Sequence, residues 1–342
     1  MNKLTNRNYL LDNLKVLLMF CVVFGHVIEY YINQSNILKG IYIFIYIFHM
    51  PLFIFISGYF SKNVEKISKG AIKGLLLPYL IFDMIWYMVV YIGTGEFMFS
   101  VLYPGWTLWY LLSLFFWRIS LKYLIKIKYI LPISFICGLL IGMLPSGSSV
   151  LAISRTITFL PFFLLGYYTK EKDFMEIQKS NKLISVIVII LFAYGAFYIS
   201  KNNLIDYRFL YNSSTYYESG LTVFQGMFFR VLLYIGAIIF SICTINLTPK
   251  VKVIYSYIGK ATMNIYVFHI YLVLLVYFFI PKWNLDYIRN TLLLLSPFLI
   301  IYILAKKPVT KVYDSIFYPV NKGIHHGRKS FKKCKDFKYK RF

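Results

Sequence analysis

Charged residues are scarce in this chain. Asp, Glu, Lys and Arg make up 15% of its 342 residues, against about a quarter in ordinary soluble proteins. Acidic residues are scarcer still, 13 against 37 basic ones. Cysteine is sparse: Cys21, Cys137 and Cys243 lie in apolar runs and Cys334 in a Lys-rich segment. None has metal-ligand spacing, so neither a disulfide nor a metal site is expected. The sequence holds no Gly-rich nucleotide loop, no HExxH and no GxSxG. It has no internal repeat and no low-complexity linker. Together these absences exclude a soluble globular enzyme, a disordered protein and a nucleic-acid binder.

What fills the chain is apolar: 59% hydrophobic residues, with aromatics at 20%. Apolar runs recur at 14–32, 40–60, 74–93, 106–121, 129–144, 151–168, 183–200, 221–245, 259–280 and 290–305. Most have about the 17–25 residues that a membrane-crossing helix needs. The runs at 106–121 and 129–144 are the shortest. The expected fold is therefore all-α: one polytopic membrane domain over 1–310 with about ten transmembrane helices, and a basic tail over 311–342. The first run carries His26 and Glu29 and no small-x-small cleavage pattern follows, so it is expected to stay as a span.

The net charge of +24 has a topological meaning in such a chain. With the N-terminus inside, the inner segments hold 28 Lys and Arg and the outer loops hold 5: Lys39, Lys201, Arg208, Lys282 and Arg289. Without the tail the split is still 16 to 5. The positive-inside bias predicts both termini in the cytoplasm. The tail is expected to be solvated or to bind lipid headgroups. Richness in Lys, Ile, Asn, Tyr and Phe points to an AT-rich bacterial genome, hence to a bacterial inner membrane.

Ionisable residues inside spans are costly, and so are functional candidates. At 1.5 Å per residue, His26, His49, His269, Asp83 and Arg230 each lie roughly 14–18 Å along their spans, near one depth. The plain alternative for His49, His269 and Asp83 is a buried polar residue that ties helices together. His26 and Glu29 differ, because positions i and i+3 share a helix face. A carboxylate there fixes the imidazole tautomer and makes an acid–base unit. Lys15 lies eleven residues before His26, about three turns, on the same face but near the inner end. The plain alternative for Lys15 is a snorkelling interfacial lysine.

Several segments carry a resemblance. LLDNLKVLLMFCVVFGHVIE at 10–29 and FHMPLFIFISGYF at 48–60 are the most specific. KGAIKGLLLPYLIF at 69–82, WTLWYLLSLFFWR at 106–118, SRTITFLPFFLLGYY at 154–168 and IGKATMNIYVFHIY at 258–271 follow in order. These resemble the membrane-bound acyltransferase-3 family, most closely its fucose 4-O-acetylase-like branch, over about residues 8–271. The family's frequent Arg-x10-His pattern is here Lys15-x10-His26, which keeps the charge and loses the planar fork.

The resemblance implies transfer of an acyl group, usually acetyl, from cytoplasmic acyl-CoA to a carbohydrate hydroxyl. Under it, Lys15, Lys69, Lys73, Lys122 and Lys126 are expected to hold the phosphates of acetyl-CoA. His26, oriented by Glu29, would act as general base or carry the acyl group transiently. Arg230, Arg155, Tyr266 and His269, with His49 and Asp83 in the same layer, are candidates to stabilise an oxyanion or position substrate. The expected partners are acyl-CoA, a carbohydrate acceptor and the lipid bilayer, with no nucleic acid. No esterase-like domain is appended, so delivery is expected to be direct or to a separate protein. Two rival readings are a glycan-precursor transporter or flippase, which would show paired halves, and a non-catalytic subunit of a polysaccharide assembly.

Overall fold

The computed structural model describes residues 8–97, 99–144, 147–280, 286–313 and 315. Nearly all of the expected tail, Cys334 and Lys282 lie outside the described residues. Helices dominate, and among the described residues there is no strand. In chain order they are α1 (Tyr9–Glu29), α2 (Asn36–Tyr59), α3 (Val64–Ala71), α4 (Leu77–Thr94), α5 (Trp109–Leu124), α6 (Ile130–Leu140), α7 (Ile153–Tyr168), α8 (Glu171–Lys179), α9 (Lys182–Asn202), α10 (Val223–Leu247), α11 (Thr262–Phe279) and α12 (Asp286–Leu304).

The sequence sets the ends of several of these. Asn8 caps α1 by accepting from the Leu11 amide at 3.2 Å. Ser35 caps α2 from the Leu38 amide, and Thr222 and Gln225 form a reciprocal capping box on α10. Between α3 and α4 the chain runs through a single π-turn, Ile72–Leu76. Pro78 follows at the start of α4 and has no amide to donate back into that turn, which favours the wider ring.

Among the described residues, seven helical stretches are long and apolar enough to cross a bilayer, the third being Val64–Thr94 as one unit. An eighth crossing results if Ile288–Leu304 and Lys307–Tyr313, bent by 65° at their junction, form one span. The expected spans 106–121 and 129–144 become α5, with 16 residues, and α6, with 11. Both are shorter than the roughly 20 residues a full crossing needs. The physical reason for α5 is that its N-terminus, Trp109, starts inside the bundle, beside the cavity described below. The chain reaches it through the segment 95–108. At α6 a 3-10 turn, Ile141–Met143, extends the helix.

Side-chain contacts gather the helix ends into two sets. At the end where α1 begins, the near end, Asn13 of α1 donates to the carbonyls of Pro249 and Val251 after α10, at 2.9 and 3.0 Å. Lys62 after α2 donates to the carbonyls of Tyr167 and Thr169 at the close of α7. Asn246 of α10 donates to the Ile177 carbonyl of α8 at 2.7 Å. At the far end, Ser200 of α9 donates to the Asn36 carbonyl of α2 at 2.8 Å. The Tyr216 amide donates to Gly142 O at 2.9 Å, pinning the 203–222 loop onto the end of α6. Of these acceptors, the Tyr167 and Ile177 carbonyls lie in the last turns of α7 and α8, where a helix leaves carbonyls open.

The bundle's outer faces are apolar and bare. Ile190 and Leu191 of α9 are 61% and 62% exposed, a surface suited to lipid and not to water. Inside, α2 and α7 cross at glycines. A Cβ on Gly58 would collide with the Phe163 carbonyl of α7, and one on Gly166 with the Phe55 carbonyl of α2. Two facing backbones leave no flexible side chain to give way. Gly58→Ala and Gly166→Ala should therefore each destabilise the detergent-purified protein by about 1–3 kcal/mol. Gly70→Ala, at a helical glycine with nothing within 4 Å, should hold or raise stability, since alanine favours helix. Melting of the three variants compares them directly.

Candidate active site

Near the far end of α1, His26 and Glu29 sit one helical turn apart and meet. His26 Nδ1 lies 2.9 Å from Glu29 Oε2. A carboxylate oxygen accepts, so Nδ1–H donates to it and Nε2 is the ring nitrogen left for another partner. The carboxylate's other oxygen accepts from Tyr211 Oη at 3.1 Å, and Tyr211 in turn accepts from Tyr42 Oη at 2.7 Å. Side-chain exposures are 15% for His26 and 20% for Glu29. Both line a cavity of about 100 Å³, with His49, Trp106, Trp109, Tyr110 and Arg155 among its walls.

Each wall has a local cause. Trp106 meets the His26 ring edge-on at 5.5 Å. It is held by Asp83, whose Oδ1 accepts from the adjacent Gly105 amide at 2.7 Å. Tyr277 of α11 donates to the His26 backbone carbonyl. Arg155 stands in the first turn of α7, where Leu151 and Ala152 both adopt left-handed conformations with φ of 52°. Such conformations cost of order 1–3 kcal/mol each; here they set the point at which α7 begins. Arg155 Nε donates to the Tyr211 carbonyl at 3.1 Å, and its guanidinium lies over the Trp109 ring at 5.0 Å. It is also attracted by the Glu29 carboxylate. The first turns of α5 and α7 both line the cavity, so the positive ends of two helix dipoles add to Arg155 there.

The polar layer expected from depth therefore assembles in part. His26, Glu29, His49 and Arg155 share the cavity. His49 donates Nδ1–H to the Ile45 carbonyl at 2.8 Å, which leaves its Nε2 as the acceptor. His269 lies just behind, its ring 5.5 Å from that of His26. Its Nδ1 bonds the Tyr266 carbonyl at 2.7 Å, and its buried Nε2 has no hydrogen-bond partner. Tyr266 lines the cavity, but its hydroxyl is committed to the Thr107 carbonyl. Asp83 lies off the cavity and acts on it only through Gly105 and Trp106. Arg230 lies elsewhere: it is fully buried, donates Nη1 to the Gly138 carbonyl at 3.1 Å and packs over the Tyr216 ring at 4.7 Å. It holds the loop that carries Tyr211. Equal depth does not imply one location, because helices at one level face different neighbours.

A second cavity, of about 170 Å³, lies on the near-end side. Lys15 lines it, paired with Asp12 at 2.8 Å and set over the Phe60 ring at 5.5 Å. Lys69, Lys73, Lys122 and Lys126 do not line it. Lys69 is a surface residue paired with Glu65 at 3.6 Å, and Lys122 lies over Tyr123. The second cation in the cavity is Arg118, whose buried Nε has no hydrogen-bond partner. Its signal in the sequence is an arginine inside the apolar run 106–121. Tyr211 lies in a Tyr-rich stretch, YRFLYNSSTYY at 207–217, with no pattern that singles it out.

A multi-helix membrane bundle built around a half-buried histidine–carboxylate pair defines the class of protein. A family model described as an acyltransferase domain, that of the acyltransferase-3 family, matches residues 8–306, and the chain belongs to this family. It is 28% identical to nodulation protein NolL of Sinorhizobium fredii over 183 residues, which cover 47% of this chain and 48% of that one. It is 36% identical to nodulation protein NolL of Mesorhizobium japonicum over 92 residues, 24% of each chain. The chain thus spans about half the length of the first of these relatives and a quarter of the second. No solved structure is significantly similar to it.

The Asp83–Gly105 bond generates a test. Asp83→Ala strands the buried Gly105 amide and should cost about 1–3 kcal/mol in detergent melting. Asp83→Asn keeps an acceptor for that amide and should lose less than half as much, as expected if hydrogen bonding and not charge is what the site needs.

Proposed function

We propose that this acyltransferase moves an acetyl group from cytoplasmic acetyl-CoA to a hydroxyl of a cell-envelope or exported carbohydrate, at a site within the bacterial inner membrane. The observation that carries this reading is the pairing of cavities. A cation-lined pocket at the near end adjoins a pocket that holds an imidazole with a free lone pair backed by a carboxylate. Lys15 and Arg118 would meet the donor's phosphates or polar arm, and the thioester would reach His26.

The chemistry then follows from the residues. His26 Nε2 takes the proton from the attacking hydroxyl, and Glu29 stabilises the imidazolium that forms. The hydroxyl oxygen bonds to the thioester carbonyl carbon. The tetrahedral oxyanion develops beside Arg155 and the first turns of α5 and α7, in a site with little water to reorganise. Collapse breaks the carbon–sulfur bond, and the imidazolium returns its proton to the leaving thiolate. His49 Nε2 is placed to hold the acceptor. The reading also assigns ten crossings, with α5 and α6 as the short ones, residues 1–310 as the membrane domain and 311–342 as a basic cytoplasmic segment. The split of 28 basic residues inside to 5 outside supports a cytoplasmic near end.

Three outcomes test this. With labelled acetyl-CoA and a panel of sugars, His26→Ala should lower kcat by about 10²–10⁴-fold, and Glu29→Gln by less. A folded His26→Ala protein with near-normal transfer rejects the assignment. Replacing Lys15 and Arg118 together with Gln should raise the KM for acetyl-CoA and flatten its salt dependence, with a smaller change in kcat. For topology, a cysteine at position 217, where Tyr217 is 85% exposed, should label from outside and Cys334 from inside; the reverse pattern overturns the orientation.

A further inference from the structure

The two cavities have only two wall residues in common, Tyr110 and Tyr266. Both are nearly buried, at 5% and 6% exposure. Their rings meet edge to face at 5.4 Å. Their hydroxyls are held on opposite sides of the partition. Tyr110 Oη pairs with Ser57 Oγ at 2.6 Å, and Ser57 lines the near-end cavity. Tyr266 Oη donates to the carbonyl of Thr107, which lines the cavity of His26. These two rings form the boundary that the cation-lined pocket shares with the cavity of His26.

The partition is asymmetric. Tyr266 is fixed to backbone and backed by His269, with ring centroids 6.1 Å apart. Tyr110 is held by one side-chain hydroxyl and by the edge contact of Phe53 at 5.4 Å. Ser57 has an alternative acceptor of its own, the Phe53 carbonyl at 3.0 Å, so it stays satisfied if Tyr110 swings away. Tyr110 is therefore the less firmly anchored of the two rings. Beyond it, the cavity of about 100 Å³ is small against the 300–1,000 Å³ of sites for larger ligands. It has to admit an acceptor hydroxyl as well.

We propose that Tyr110, closing against Tyr266, sets the length of the acyl group, admitting acetyl and rejecting chains of four or more carbons. This rests on the reading of the near-end pocket as the donor's side and of His26 as the transfer site. It assigns Tyr110 a specificity role that the transfer chemistry itself does not require. One methylene more or less in an apolar pocket changes selectivity by about 10–200-fold. Removing the ring of Tyr110 joins the two cavities and takes that wall away.

The test uses the purified full chain with the sugar panel and measures thiol release from acetyl-, butyryl- and hexanoyl-CoA. The natural chain should prefer acetyl over hexanoyl by at least about 100-fold in kcat/KM. Tyr110→Ala and Tyr110→Leu should cut that ratio at least tenfold through a gain in hexanoyl turnover. Leu keeps most of the packing in case Ala fails to fold. Tyr110→Phe keeps the ring and should keep the preference. A purely structural Tyr110 would lower turnover of all three donors together and leave the ratio unchanged, which overturns the proposal. Equal use of hexanoyl- and acetyl-CoA by the natural chain overturns it too. Thiol release from none of the donors removes the donor reading itself, and the partition with it.

Discussion

A carboxylate inside a bilayer-spanning bundle is the constraint around which this structure is arranged. Glu29 is an acid in an apolar span, and an unpartnered charge there costs several kcal/mol. The fold answers on both oxygens. His26 takes one at 2.9 Å and Tyr211 the other at 3.1 Å. Arg155 and two helix N-termini add positive potential from the facing wall. To bring Tyr211 to Glu29, a loop from the far end has to dip toward the bundle's interior. Tyr216, Gly142 and Arg230 hold that loop in place. Residues that never touch the cavity are thus required by the charge inside it.

The same arrangement explains why aromatic rings surround the pair. Trp106 and Trp109 exclude water without adding polar groups that would need partners of their own. Several of the tyrosines there have acceptors for their hydroxyls: Tyr42 on Tyr211, Tyr266 on Thr107, Tyr277 on the His26 carbonyl. A chain with 20% aromatic residues can build such walls at low cost in side-chain entropy. A dry wall also strengthens each electrostatic contact within it.

Much of this was legible in the sequence, and the remainder was hidden for identifiable reasons. The all-helical membrane fold follows from the spacing of apolar runs, and the His26–Glu29 contact follows from i, i+3 geometry on one helix. Lys15 lines its cavity because it shares a helix face with His26. Contacts between helices are another matter. Helix position gave Asp83 and Arg230 the same depth as His26, but depth is one coordinate and rotation about the helix axis is another. Lys69 and Lys122 sit on segments of suitable charge, yet their side chains face outward. Tyr211 lies about 180 residues from Glu29 in the chain, and no local pattern announces such a meeting. The two shortest spans were the least like full crossings, and α5 and α6 are indeed short.

The buried arginines show how far environment, and not residue type, decides a role. Arg118, Arg155 and Arg230 each interrupt an apolar run. Arg230 has a carbonyl and an aromatic ring but no cavity, so it can only brace the loop above it. Arg155 has one donor used on the Tyr211 carbonyl and a cavity beside it, so its remaining donors can meet a charge that develops during reaction. Arg118 has a cavity beside it and an unpartnered buried Nε. A group left so in a membrane interior is costly unless a ligand completes it. Arg230 has two unpartnered buried nitrogens of its own, Nε and Nη2, and lines neither cavity, so access and not internal satisfaction is what separates Arg118 from it.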